Sequence, residues 1–139
     1  MKSNISYSIV REIDTLVLEQ MYREAGWWHE AQSERNNLPS LVRNSFCFIV
    51  ARNGEDQLVG MGRVISDGVS DAYIQDVYVK ENYRKMGIGK QLILRLKDQC
   101  LQGGISWIGL IANPGTAGFY SGLGFSEMVD YTPILLPVK

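Results

Sequence analysis

Histidine is nearly missing from this chain and cysteine is scarce: one His and two Cys in 139 residues. With His29 alone there is no ligand set for a zinc site of the Cys/His type, and no metal is expected. Cys47 and Cys100 both sit in apolar surroundings, which suits small buried hydrophobes rather than a disulfide framework or an activated thiolate. An excess of one charge is missing as well. With 14 basic and 15 acidic side chains the formal net charge is −1, so no global field calls for nucleic acid. No stretch approaches the roughly 20 apolar residues that cross a bilayer, and residues 1–7 lack the apolar run of a signal peptide. These absences leave a cytoplasmic protein with neither nucleic acid nor membrane as partner. Repeats, low-complexity tracts and linkers are also lacking, which points to a single domain over residues 1–139.

What is present is a regular alternation of elements. Residues 6–11 read as a short strand, and Asp14 is placed to cap a helix over 15–25 that Gly26 ends. Trp27, Trp28 and His29 open a second, less regular helical segment, and Leu38-Pro39-Ser40 begins another. Residues 46–51 and 57–66 form a hairpin around the turn at 53–56. A strand over 71–79 follows, then a glycine loop, a helix from Lys90 to Leu101 and a buried strand over 105–111. A short helix over 116–121 and a final strand or hairpin ending near Val138 complete the reading. The order β-α-α-β-β-β-α-β-α-β gives an α/β fold, a mixed central sheet with helices on both faces.

The loop Arg84-Lys85-Met86-Gly87-Ile88-Gly89 carries the chemistry. Gly87 and Gly89 let the main chain approach a ligand. The first-turn N–H groups of the following helix lack intrahelical partners and carry the positive end of its dipole, which suits a phosphate or pyrophosphate. This is no dinucleotide fingerprint, because the first glycine of that motif and the acidic residue after the next strand are missing. Nor is it a Walker loop, since Gln91 follows Lys90 where a hydroxyl residue is needed.

The segment Asp76-Val77-Tyr78-Val79, followed by Arg84, Gly87, Ile88 and Gly89, resembles the acetyl-CoA motif of the GCN5-related N-acetyltransferases (GNAT). A second feature of that family matches downstream: Asn113, then Phe119-Tyr120 and Leu123-Gly124-Phe125. The resemblance implies the GNAT fold, with a splayed parallel strand pair that binds acetyl-CoA. It implies that Val77, Tyr78 and Val79 hold the pantetheine arm. The N–H groups of Lys85, Met86, Gly87, Ile88, Gly89 and Lys90 would hold the pyrophosphate, with charge from Arg84 or Lys85. Asn113 and Phe119 would meet the cosubstrate, and Tyr120 would protonate the departing thiolate, which suits a phenol of pKa near 10.

On this resemblance Tyr73 and Gln75 face the acceptor, and Trp27 and Trp28 could build an aromatic wall there or pack as core. Asp76 is the candidate catalytic carboxylate. Strand alternation points it away from Tyr73 and Gln75, which also allows a structural role. Asp67 or Asp71 through a water, or an amine that arrives neutral, are the other routes. The implied activity is acetyl transfer to a primary amine, of a small molecule in the first place. A protein or peptide acceptor and a non-catalytic acyl-CoA sensor are the alternatives. The apolar C-terminal run between Pro133 and Pro137 suits an edge and a homodimer.

Overall fold

The structure is a computed structural model that describes residues 4–28 and 34–137, with side chains of 34–36 left aside. It divides into two compact units, residues 1–109 and residues 110–139. The first unit holds a five-stranded sheet in the order β1-β2-β3-β4-β5. Its strands are β1 (Ser6–Ile9), β2 (Cys47–Arg52), β3 (Leu58–Ser66), β4 (Asp71–Val79) and β5 (Trp107–Gly109). All neighbours pair antiparallel except β4 and β5, which run parallel. Helices α1 (Thr15–Glu24) and α2 (Glu34–Asn44) join β1 to β2, and α3 (Ile88–Gln102) joins β4 to β5.

Asp14 starts α1 as its composition suggests: Oδ1 accepts from the N–H groups of Leu16 and Val17, at 2.9 and 3.1 Å. Leu18, Met21 and Tyr22 then fall on one buried stripe and join Leu38 and Val42 of α2 over Phe48, Val50 and Met61 of the sheet. The expected start of α2 at Leu38 is corrected: it begins at Glu34, with Pro39 inside it. The opposite face of the sheet receives α3 through Ile88, Leu92, Ile93, Leu96 and Cys100, all buried. Cys47 and Cys100 are both free and buried, and burial pushes the Cys47 thiol up to about 11.

Gly60 and Gly62 of β3 make room for that helix. A Cβ on Gly62 would stand 2.9 Å from Leu96 Cδ1 and 3.3 Å from Val77 Cγ2. Gly62→Val therefore overpacks the sheet–helix layer and is expected to cost about 1–3 kcal/mol. Thermal unfolding checks this as a midpoint several degrees lower.

The second unit contains α4 (Ala117–Ser121), which Thr116 precedes, as the sequence indicates. No strand follows among the described residues up to 137, so the expected final strand or hairpin is absent there. Its prolines lie at 133 and 137, one removing a donor in the middle of the run and one at its end.

Candidate acetyl-CoA and acceptor site

β4 does not keep a strict alternation. Gln75 pairs with Arg63 and Tyr78 with Met61, so Asp76 and Val77 together stand opposite Gly62. This is a β-bulge, and Asp76 carries its left-handed backbone at φ 58°. Before the bulge Ala72 and Ile74 are buried while Tyr73 and Gln75 are exposed; after it Tyr78 packs with the α1–α2 core. Val77, within reach of a Cβ at Gly62 beside Leu96, takes the α3 side.

The bulge corrects the expected orientation of Asp76. Its Oδ2 accepts from Tyr22 Oη at 2.7 Å and from Arg63 Nε at 2.6 Å. Tyr22 lies on α1 and Arg63 stands opposite Gln75, so the carboxylate projects on the face shared by Tyr73 and Gln75. One extra residue in the strand reverses what alternation dictates. Burial and the adjacent Asp76 carboxylate both raise the pKa of Tyr22 far above 10.0, so its phenol stays the donor. Both side-chain hydrogen bonds of Asp76 among the described residues fall on Oδ2.

β5 pairs only with Asp71, Ala72 and Tyr73 of β4. From Ile74 to Val79 the β5 side of β4 carries no strand among the described residues, so main-chain groups there remain available to an extended ligand. The resemblance assigns Val77, Tyr78 and Val79 to the pantetheine arm, and all three lie on this open stretch.

The chain leaves β4 through a 3-10 turn at Glu81–Tyr83, anchored when Asn53 Nδ2 donates to Tyr83 Oη at 2.9 Å. The backbone is left-handed at Lys85, φ 64°, and again at Gly87, φ 83°. Such alternation curls successive N–H groups into an anion-binding concavity. Gly87 is the N-cap of α3, and the first bond that closes a helical turn runs from the Gln91 N–H to the Gly87 carbonyl. The N–H groups of Ile88, Gly89 and Lys90 precede it and have no turn to donate to. Donor set, dipole and concavity all fit a pyrophosphate.

Arg84 departs from the simplest expectation. Its Nε donates to the Val79 carbonyl at 3.0 Å and its guanidinium lies 5.5 Å from the Tyr78 ring centroid. It braces the loop against β4, while Lys85, Met86 and Lys90 are exposed around the glycine turn.

Trp27 and Trp28 have separate surroundings. Trp27 meets Tyr22 and Tyr78 edge to face, with centroids at 6.3 and 6.2 Å, next to the Asp76 clasp. Trp28 lies under the Arg23 guanidinium at 5.3 Å, and its buried indole N–H has no partner among the described residues. His29 lies outside the described residues.

The remaining candidates belong to the second unit. Asn113 turns the chain into α4: its carbonyl accepts from Thr116 Oγ1 at 2.6 Å. Tyr120 is half-buried between Phe119 and Phe125, with centroids 5.0 and 6.0 Å away, both edge to face. Burial raises the pKa of its phenol above 10.0.

Two elements escaped the sequence reading. The Tyr22–Asp76–Arg63 clasp joins positions far apart in the chain and has no local signature. Trp107 was counted only as part of a buried strand, yet its side chain is exposed beside Tyr73; its position in an apolar run hid it.

The profile of the acetyltransferase (GNAT) family matches residues 10–125. The chain belongs to the GNAT family, and the protein is an acyltransferase of the N-acetyltransferase type. It is 31% identical over 130 residues to an uncharacterized N-acetyltransferase, ycf52, of Pyropia yezoensis, covering 91% of this chain and 73% of that protein. It is 41% identical over 137 residues to the chloroplastic GCN5-related N-acetyltransferase 2 of Arabidopsis thaliana, covering 87% of this chain and 53% of the relative. A Glycine max relative named histone acetyltransferase TAP1 is 32% identical, with 87% and 55% covered. The chain thus spans little more than half of these two plant proteins. Among solved structures, a GNAT-family protein of Streptococcus pneumoniae superposes with a TM-score of 0.82 at 23% identity, over 98% of this chain and 99% of that one. AAC(6')-Iy, solved in complex with the bisubstrate analogue CoA-S-monomethyl-acetylneamine, superposes with a TM-score of 0.73 at 14% identity, over 99% of both chains.

Proposed function

We propose that this protein transfers the acetyl group of acetyl-CoA directly to the primary amine of a small molecule. The observation that carries the reading is the run from the open edge of β4 into the left-handed turn at Lys85 and Gly87 and the bare first turn of α3. That run offers an extended main chain for an amide-bearing arm and N–H groups for a pyrophosphate. Acetyl-CoA, when bound, supplies an activated thioester. Main-chain N–H groups at the bulge offer hydrogen bonds to an oxygen gaining negative charge. Tyr73 and Gln75 orient the amine, and Oδ1 of Asp76 accepts its proton. The family motif assigns protonation of the leaving sulfur to Tyr120, whose phenol burial keeps in the protonated form.

The test is calorimetric titration with acetyl-CoA followed by a free-thiol assay over small amines, polyamines, amino acids and peptides. Binding with thiol release for one small-amine class is the expected result. Binding without release from any acceptor supports a sensor instead, and release only with peptides supports the protein acceptor that the soybean relative's name suggests.

Asp76 has a separate test. Asp76→Asn keeps a residue that tolerates the left-handed backbone and an oxygen for Arg63, so folding is expected to survive while turnover falls by about 10²-fold or more. Asp76→Ala also strands Arg63 and Tyr22 and is expected to lower stability by about 2 kcal/mol. Full activity in Asp76→Asn would reduce Asp76 to a structural clasp.

A further inference from the structure

The face of the sheet that carries Gln75 and Asp76 continues toward β5 as an exposed apolar row. Ile65 pairs with Tyr73 across β3 and β4, and Tyr73 pairs with Gly109 across β4 and β5. Side chains opposite one another share a face, so Ile65, Tyr73 and the space above Gly109 are contiguous. Trp107, two residues before Gly109 and therefore on the same face, fills that space. A Cβ on Gly109 would stand 2.6 Å from the Trp107 ring, so the glycine is the seat of the indole. The Tyr73 and Trp107 centroids are 5.1 Å apart, with planes inclined at 58°. Ile65 is 41% exposed, Tyr73 47% and Trp107 38%, which is unusual for two rings built into one seat on a sheet face. Toward α2 the same face opens into a groove of about 400 Å³ lined by Leu41, Ser40, Arg63 and Ile65 among others.

We propose that this row is the acceptor subsite and that it selects primary amines bearing a flat, apolar ring, resting on the acetyltransferase reading above. An inclined pair of rings offers a corner in which a third ring can lie offset on one and edge-on to the other. Of the carboxylates on this face, Asp76 is matched by Arg63, while Asp71 stands opposite Trp107 at the far end of the row, where a single charge can meet a polar substituent on the ring. Residues two apart on a strand put their side chains about 6.6 Å apart. A ring over Tyr73 therefore brings an amine on an arm of two or three carbons to Gln75 and the bulge.

The probes are 2-phenylethylamine and n-butylamine in the free-thiol assay with the full chain, with 2-phenylethylamine binding also followed by saturation-transfer NMR. The expected kcat/KM ratio is at least about 30 in favour of the aryl amine, by analogy with the 10–200-fold discrimination of apolar pockets. Trp107→Ala should bring the ratio down at least tenfold, and Trp107→Phe should restore most of it, while calorimetric titration with acetyl-CoA reports that the variants are folded. Equal kcat/KM for both amines in the unaltered protein, an unmoved ratio in Trp107→Ala, or a lysine peptide preferred over both would overturn the subsite while leaving the transferase intact. If no amine releases thiol, the transferase reading fails. The NMR signal then decides the subsite alone: saturation of the phenyl protons lost in Trp107→Ala supports it, and no saturation in the unaltered protein overturns it.

Discussion

Tyr120→Phe is expected to lower kcat by about 10²–10⁴-fold, the usual worth of a positioned general acid, with acetyl-CoA affinity retained. The change removes one oxygen and keeps the ring that Phe119 and Phe125 hold edge to face, so the local packing survives. The phenol's proton is what the mechanism uses, and burial strengthens its hold on it. Because the shift is upward from 10.0, the donor stays protonated through neutral pH, and the midpoint of any loss of activity from its ionisation lies above pH 10.0. A thiol-release assay between pH 6 and 10.5 checks both statements. Unchanged turnover in Tyr120→Phe would make the tyrosine a structural member of its aromatic group and return the proton to solvent.

Gly87→Val should abolish measurable acetyl-CoA binding while the domain stays folded. The reason is conformational rather than steric: a Cβ at this position would meet no atom within 4 Å, but the backbone stands at φ 83°. For an L-residue the left-handed region costs roughly 1–2 kcal/mol, more with a β-branched side chain. The relief of that strain is to turn the peptide at the N-terminus of α3, which redirects the N–H groups that face the pyrophosphate. Gly87→Asn, tolerant of the same backbone, should recover most of the affinity. Calorimetric titration with acetyl-CoA, beside a thermal melt, reads the difference. Unaltered affinity in Gly87→Val would remove the loop from the cosubstrate site.

Much of this protein was legible in one dimension. The cap at Asp14, the apolar stripe of α3, the hairpin around Asn53 and the glycine loop all depend on residues within a few positions of one another. Local propensity and periodicity therefore report them. The spacing of Arg84, Gly87 and Gly89 behind Val79, with the later Phe119-Tyr120 pair, was enough to place the chain in its family. The helix itself starts at Ile88, two residues before the expected Lys90, so that Gly89 and Lys90 both lie in its first turn.

Other features could be decided only in three dimensions. Alternation aimed Asp76 away from Gln75, and the bulge against Gly62 brought it back, held by Tyr22 and Arg63 from two other elements. No run of residues encodes where an extra residue will be absorbed in a ladder, because that depends on the partner strand. Arg84 looked like a free charge until its bond to the Val79 carbonyl and its place over Tyr78 turned it into a brace. Trp107 sat in a run of apolar residues that any periodicity assigns to the core. Its exposure follows from the shortness of β5 and from Gly109, which gives the indole a seat beside Tyr73. Elements and motif, then, were determined by neighbours along the chain. The orientation of the Asp76 carboxylate, the bracing of the glycine loop and the aromatic row were determined by which strands meet, and in what register.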